Sequence, residues 1–91
     1  MTEQRTRKDF DMAVEELKMY AIIEYAEFGS QVQIYTMRFN STGKIIKHIC
    51  ERAFKMLMDR GLLELRTTDY FVKIYMLNPL MEYVRTLDKV R

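Results

Sequence analysis

The sequence predicts one domain that is mainly α-helical and carries a small β-hairpin, which places it in the α+β class. Three patterns support this fold class. Apolar residues recur at helical spacing in the first third, a basic amphipathic segment occupies the middle, and two alternating segments flank Thr67-Thr68-Asp69. With 91 residues, of which 48% are apolar, the chain can form a single modest core.

The composition excludes several classes of protein. The chain has no apolar run of membrane-spanning length, and its first ten residues, MTEQRTRKDF, lack the apolar stretch of a secretory signal. A single cysteine, Cys50, cannot form an internal disulfide and is typical of a reducing compartment. We therefore expect a cytoplasmic protein that does not associate with membranes.

The N-terminal third predicts a flexible basic tail over residues 1–8 and a helix from Asp9, at the start of a domain spanning residues 9–91. A second apolar face continues from Met19 to Ala26, and Gly29 ends the helix. This is more apolar surface than one small core needs, which suggests a partner surface. The first apolar face consists of Phe10, Ala13, Val14, Leu17, Tyr20 and Ala21.

The next segment can be interpreted as a helix or as a strand. Ser30 and Gln33 fit a capping box, which indicates a short helix through Phe39. The alternative is a strand, because the segment also contains β-favouring residues such as Val32 and Ile34. We favour the helix.

The middle of the chain predicts a third helix over roughly residues 41–60. Ser41 or Thr42 caps it, and Gly61 ends it. The sector opposite its basic face is apolar, as a core face requires. At about 100° per residue, the polar residues of this helix fall within a sector of about 140°, which we call the basic face. It contains Lys44, Lys47, His48, Glu51, Arg52 and Lys55.

The last third predicts a β-hairpin and a final helix. The strands cover residues 62–66 and 70–77, and Thr67-Thr68-Asp69 forms the turn. Asn78-Pro79 then begins the helix, with asparagine as the cap and proline in the first turn. The apolar stripe of this helix consists of Leu80, Tyr83, Val84, Leu87 and Val90.

This order of elements resembles the winged helix-turn-helix family of DNA-binding proteins. The resemblance rests on the segments NSTGKIIKHICERAFKMLMDRGLLELR and TTDYFVKIYMLNP, and it covers roughly residues 30–78. With its extra N- and C-terminal helices, the chain is similar to PadR-like regulators and to small winged-helix proteins of archaeal plasmids and viruses, including plasmid-segregation proteins. The resemblance implies that the third helix is the recognition helix and the hairpin is the wing.

The charge distribution agrees with DNA binding. Between Arg38 and Arg66 there are seven bases and three acids. A recognition helix places its N-terminal residues in the major groove, and a wing reaches the adjacent phosphates. Lys44 and Lys47 could alternatively form a solvated face with no ligand. The expected DNA-binding residues are Arg38, Ser41, Thr42, Gly43, Lys44, Lys47, His48, Arg52, Lys55, Arg66, Thr67 and Thr68.

The resemblance implies a homodimeric, sequence-specific protein that binds double-stranded DNA and regulates transcription in the nucleoid. The alternatives are a plasmid-partition protein that spreads on DNA and a winged-helix module that binds proteins. An enzyme is not expected, because the NSTGK segment does not complete a phosphate loop: Arg38 stands where the first glycine is required, and Ile45 follows the lysine. With one histidine, the chain predicts no metal site, and no cofactor is expected. The expected dimer contacts are Met19, Tyr20, Ile23, Tyr83 and Leu87.

Overall fold

The computed structural model describes residues 2–29, 31–68 and 72–81, which form two α-helices, five β-strands and a short 3₁₀ turn at Pro79–Met81. Neither helix in this part of the chain is long and apolar enough to span a membrane. The helices and strands are α1 (Thr2–Lys18), β1 (Ile22–Phe28), β2 (Val32–Arg38), β3 (Ile45–Ile49), α2 (Glu51–Asp59), β4 (Leu63–Thr68) and β5 (Val72–Leu77).

The five strands form one antiparallel sheet with the order β3-β2-β1-β5-β4. The central strand, β1, pairs with β2 from Ile22↔Arg38 to Phe28↔Val32. On its other side it pairs with β5, so that Ala26 lies opposite Val72. Strands β3 and β4 are therefore at opposite edges of the sheet, about 19 Å apart at about 4.8 Å per strand.

The core lies between the two helices and one face of the sheet. Phe54 of α2 is at its centre, with its ring centroid 4.5 Å from that of Tyr35 and 5.1 Å from that of Tyr75. Phe10 of α1 extends the cluster towards Arg60, whose guanidinium lies 4.6 Å from the ring centroid. The buried core residues are Phe10, Ala13, Leu17, Ala21, Ile23, Tyr35, Met37, Ile49, Ala53, Phe54, Leu57, Leu63 and Tyr75.

The other face of the sheet, which we call the open face, contributes no side chain to this core. Because side chains alternate along a strand, every residue next to a core residue in the sheet points to this opposite side. Its members are Ile22, Glu24, Ala26 and Phe28 of β1, Val32, Ile34, Thr36 and Arg38 of β2, Ile45 and His48 of β3, Glu64 and Thr67 of β4, and Val72, Ile74 and Met76 of β5.

The predicted fold class was wrong. The chain is not mainly helical with one hairpin, because among the described residues a five-stranded antiparallel sheet contains more residues than the two helices. This sheet also rules out the winged-helix arrangement, in which a third helix would occupy residues 41–60. In the structure α2 covers only Glu51–Asp59, and the isoleucine-rich stretch before it pairs with β2 as β3.

The segment through Phe39 is a strand, not the helix that we favoured. Residues 32–38 pair with β1 along their whole length and with β3 on the other side. The capping-box pattern is a local signal, and it is outweighed by the hydrogen bonds and side-chain packing of a strand between two neighbours. The β-favouring composition of this segment was the better guide.

The first helix begins and ends earlier than predicted. Residues 2–8, expected to form a tail, are the first turns of α1. The helix ends at Lys18, and Tyr20, with φ 69°, turns the chain into β1. The second apolar face expected from Met19 to Ala26 thus belongs largely to a strand, which exposes one set of side chains to each side of the sheet.

Predictions from local turn chemistry were confirmed. Gly61 follows the C-cap of α2 with φ 67°, and Leu62 N donates to Leu57 O at 3.1 Å. The hairpin is present as β4 and β5. Asn78 Oδ1 accepts a hydrogen bond from Leu80 N at 3.0 Å, as a cap does. The rest of the predicted last helix, with Tyr83 and Leu87, lies outside the described residues.

Candidate nucleic-acid interface

The residues predicted to bind DNA do not form one surface. Ser41, Thr42, Gly43 and Lys44 belong to the loop between β2 and β3. Lys47 and His48 are on β3, and Arg52 and Lys55 are on α2. Arg66, Thr67 and Thr68 are on β4, so the predicted wing residues and the residues of β3 lie at opposite edges of the sheet.

The β2–β3 loop is held by hydrogen bonds of its own. Gly43, with φ 73°, donates from its N–H to Phe39 O at 2.8 Å, and Lys44 N donates to Thr42 Oγ1 at 3.2 Å. Arg38 Nη1 donates to Gly43 O at 2.8 Å, while its Nη2 lies 3.5 Å from Glu24 Oε1. Arg38 and Thr42 therefore stabilise the loop, and Lys44 remains an exposed cation.

The two basic-face residues of β3 point to opposite sides of the sheet. His48 lies on the open face, where Nδ1 is 3.0 Å from Thr36 Oγ1. Lys47 points to the helix side, and its Nζ lies 2.8 Å from Oδ1 of Asp9. A helix over this segment would have placed them on one face, which explains why the sequence pattern grouped them.

Asp9 is a fully buried carboxylate that joins α1, β3 and α2. Its Oδ2 accepts a hydrogen bond from Cys50 N at 2.9 Å, immediately before α2 begins. Arg5 Nε lies 3.8 Å from the same oxygen. Burial raises the pKa of this carboxyl, but the hydrogen bonds from Lys47 and from Cys50 outweigh that effect and leave the pKa below its ordinary value of 3.8.

A groove with a volume of about 480 Å³ separates the first turns of α1 from the exposed side of α2. Three cations line it, Arg7 from α1 and Arg52 and Lys55 from α2. Arg7 Nε is 3.6 Å from Asp11 Oδ2, and Lys55 Nζ is 3.1 Å from Glu51 Oε1. Within the part of the chain that the structure describes, Arg52 has no carboxylate partner. The remaining lining residues are Thr6, Met56 and Asp59.

Together these contacts define a helix-side basic surface, formed by Arg5, Arg7, Lys47, Arg52 and Lys55. It contains three of the predicted residues and two that the prediction assigned to a tail. The helical spacing of Thr6, Phe10 and Ala13 extends the first helix back towards the N-terminus. This spacing could have placed Arg7 on the first helix instead of in a flexible tail. Nothing in the sequence indicated that α1 and α2 would be neighbours.

The residues predicted at a dimer interface are also separated. Ile23 is buried in the core and cannot contact a partner, whereas Met19 and Tyr20 are exposed at the end of α1. Among the described residues, no group of three or more His, Cys, Asp or Glu side chains could hold a metal ion. Comparison of the chain with protein-family models, with curated proteins and with solved structures finds no match in any of the three.

Proposed function

We propose that this protein binds duplex DNA through the helix-side basic surface, by contacts to backbone phosphates. The observation that carries the proposal is the groove in which Arg7, Arg52 and Lys55, from two different helices, face a common space. Cations spread over two helices can contact several phosphates at once, and binding of this kind is driven by release of counterions from the DNA.

The ion pairs already present on this surface do not prevent such binding. The Arg7–Asp11 and Lys55–Glu51 pairs join side chains that are all at least half exposed. Exposed pairs of this kind contribute less than about 1 kcal/mol each, so a phosphate can replace the carboxylate at little cost. Lys47 differs, because its partner Asp9 is buried and holds it in place.

The geometry favours contacts to phosphates over reading of bases. A base-reading helix needs a row of polar side chains that enters the major groove, and residues 41–49 supply a loop and an edge strand instead. Single strands are commonly bound by stacking on exposed aromatic rings. The core rings of Tyr35, Phe54 and Tyr75 are buried between the helices and the sheet. They are therefore not available for stacking at the basic surface. We therefore propose binding with little sequence preference.

The test is a pair of double variants measured against a labelled DNA duplex. We expect Arg52→Gln/Lys55→Gln to weaken binding at low salt on the order of ten-fold, because two phosphate contacts are lost. The slope of log affinity against log salt should become shallower by about 2. Fluorescence anisotropy over a salt series measures both quantities.

Arg66→Gln/Lys73→Gln is the matched control, since it removes two exposed bases from β4 and β5 and should leave binding nearly unchanged. Equal losses in the two double variants would contradict the proposed surface. Absence of binding to any duplex at low salt would contradict the function itself. A duplex RNA of the same sequence is the comparator, and tighter binding to it would reassign the substrate.

A further inference from the structure

The open face of the sheet is largely apolar at its centre and at one end. Ala26 lies between Ile34 and Val72 in the sheet register. At the end formed by the β1–β2 hairpin, Phe28 is 60% exposed and its neighbour Val32 is 50% exposed. A contiguous apolar sheet surface of this kind is typical of a contact site.

Most polar side chains of the open face have a partner in the structure, although Arg38 Nε is buried without one. Glu24 pairs with Arg38 at 3.5 Å, and Thr36 hydrogen-bonds His48 at 3.0 Å. Glu64, near the β4 edge, lies 3.4 Å from Arg66. Because opposite charges are paired, the face has little net charge, and covering it would leave few polar groups unsatisfied. A charged ligand such as nucleic acid does not fit it, whereas another neutral apolar surface does.

The size of the open face suits association of two sheets. Five strands spaced about 4.8 Å apart give a width of roughly 24 Å, and about six residues per strand, each rising about 3.4 Å, give a length of roughly 20 Å. The face therefore covers about 500 Å². Two such faces would bury about 1,000 Å² in total, which reaches the lower range of specific interfaces. We therefore expect a weak association, whose affinity depends on how well the central side chains pack.

The shape of the face is compatible with a two-fold axis. On β1, the central strand, the short side chain of Ala26 is 8% exposed between Ile34 and Val72, and the large side chain of Phe28, 60% exposed, lies about 7 Å farther along the same strand. In a two-fold arrangement each surface meets an identical one, so the large Phe28 of one copy can lie over the small Ala26 of the other, and the reverse.

We propose that two copies of this chain associate through the open face, with β1 near the symmetry axis and Phe28 of each copy packed on the other sheet. The interface is distinct from the helix-side basic surface, so association does not depend on DNA binding. It replaces the predicted contact through Ile23, whose side chain is buried in the core.

The experiment is sedimentation equilibrium or light scattering over a range of concentrations, without nucleic acid. The wild-type chain should form dimers at about 100 μM, a concentration at which weak but specific association is detectable. Phe28→Ser/Val32→Ser should raise the dimer dissociation constant by about ten-fold or more. Because both side chains are at least half exposed, the monomer should keep its far-UV circular dichroism spectrum.

Met58→Ser/Leu65→Ser is the matched control, because it removes two exposed apolar side chains outside the open face. It should leave the dissociation constant unchanged. Ala26→Leu is a second variant, which adds bulk where Phe28 of the other copy would pack and should weaken association without removing apolar area. A wild-type chain that stays monomeric at about 100 μM would overturn the proposal, and so would equal effects of the two double variants.

Discussion

Replacing Phe54 by alanine is expected to lower the free energy of unfolding by about 3–5 kcal/mol. Phe54 is the largest side chain that α2 contributes to the core, and its ring packs against those of Tyr35 and Tyr75. Deletion of the ring removes these aromatic contacts and leaves a cavity that the rigid strands beneath cannot close. For a domain of this size, such a loss is a large part of the total stability.

Urea denaturation followed by circular dichroism measures the effect. Phe54→Leu retains most of the apolar volume, so it should remain folded and give a smaller, measurable loss. Met58→Ala, on the same helix but exposed, should change stability by less than about 0.5 kcal/mol. A Phe54→Ala protein as stable as the Met58→Ala protein would contradict the assigned core.

Replacing Asp9 by asparagine is expected to destabilise the fold by about 2–4 kcal/mol at neutral pH. Asparagine preserves the size of the side chain and can still accept from Cys50 N, but it removes the negative charge opposite Lys47. The lower end of the range allows for Lys47, which is half exposed and can return to water. Asp9→Ala, which also removes the acceptor for Cys50 N, should cost more.

The same carboxylate predicts a pH dependence with a definite sign. Its pKa in the folded protein is below the ordinary value of 3.8, so the folded state binds its proton less readily than the unfolded chain. Its contribution is therefore complete above about pH 4 and is lost as the pH falls through the folded pKa. Denaturation from neutral pH to about pH 3 should show a smaller loss for Asp9→Asn than for the wild type. Asp11→Asn, at an exposed ion pair with Arg7, should follow the wild type.

Parts of this fold that depend on neighbouring residues could be predicted from the sequence. The glycine after α2 and the asparagine cap before Pro79 act through their own backbone, and the β4–β5 hairpin joins segments a few residues apart. The glycine and the asparagine cap were predicted at the correct positions, whereas the hairpin was predicted with a turn at residues 67–69, although Thr67 and Thr68 belong to β4. Local chemistry determines them almost completely.

The parts that depend on distant pairing could not be predicted. In the segment Ile45–Ile49 the isoleucines and lysine also fit a helical period, so the pattern ran without interruption into α2. Only pairing with β2, and through it with β1, selects the strand. The same error moved Lys47 and His48 from one predicted face to two sides of a sheet. At the candidate site, Arg52 and Lys55 were predicted from the sequence as DNA-binding residues. Arg7 could not be assigned to the same surface, because the sequence does not show that α1 and α2 are adjacent.

The position of both helices on one side of the sheet has a consequence for how a dimer would meet DNA. In a dimer joined through the open faces, the two helix layers lie outermost, so the basic surfaces point in opposite directions. With about 10 Å between sheets and about 10 Å from each sheet to its helices, these surfaces are roughly 30 Å apart. Such a dimer cannot occupy adjacent grooves of one duplex, but it can tether two duplexes or two segments of a loop. Retention of a second, labelled duplex on beads carrying the first would reveal this tethering, and Phe28→Ser/Val32→Ser should abolish it.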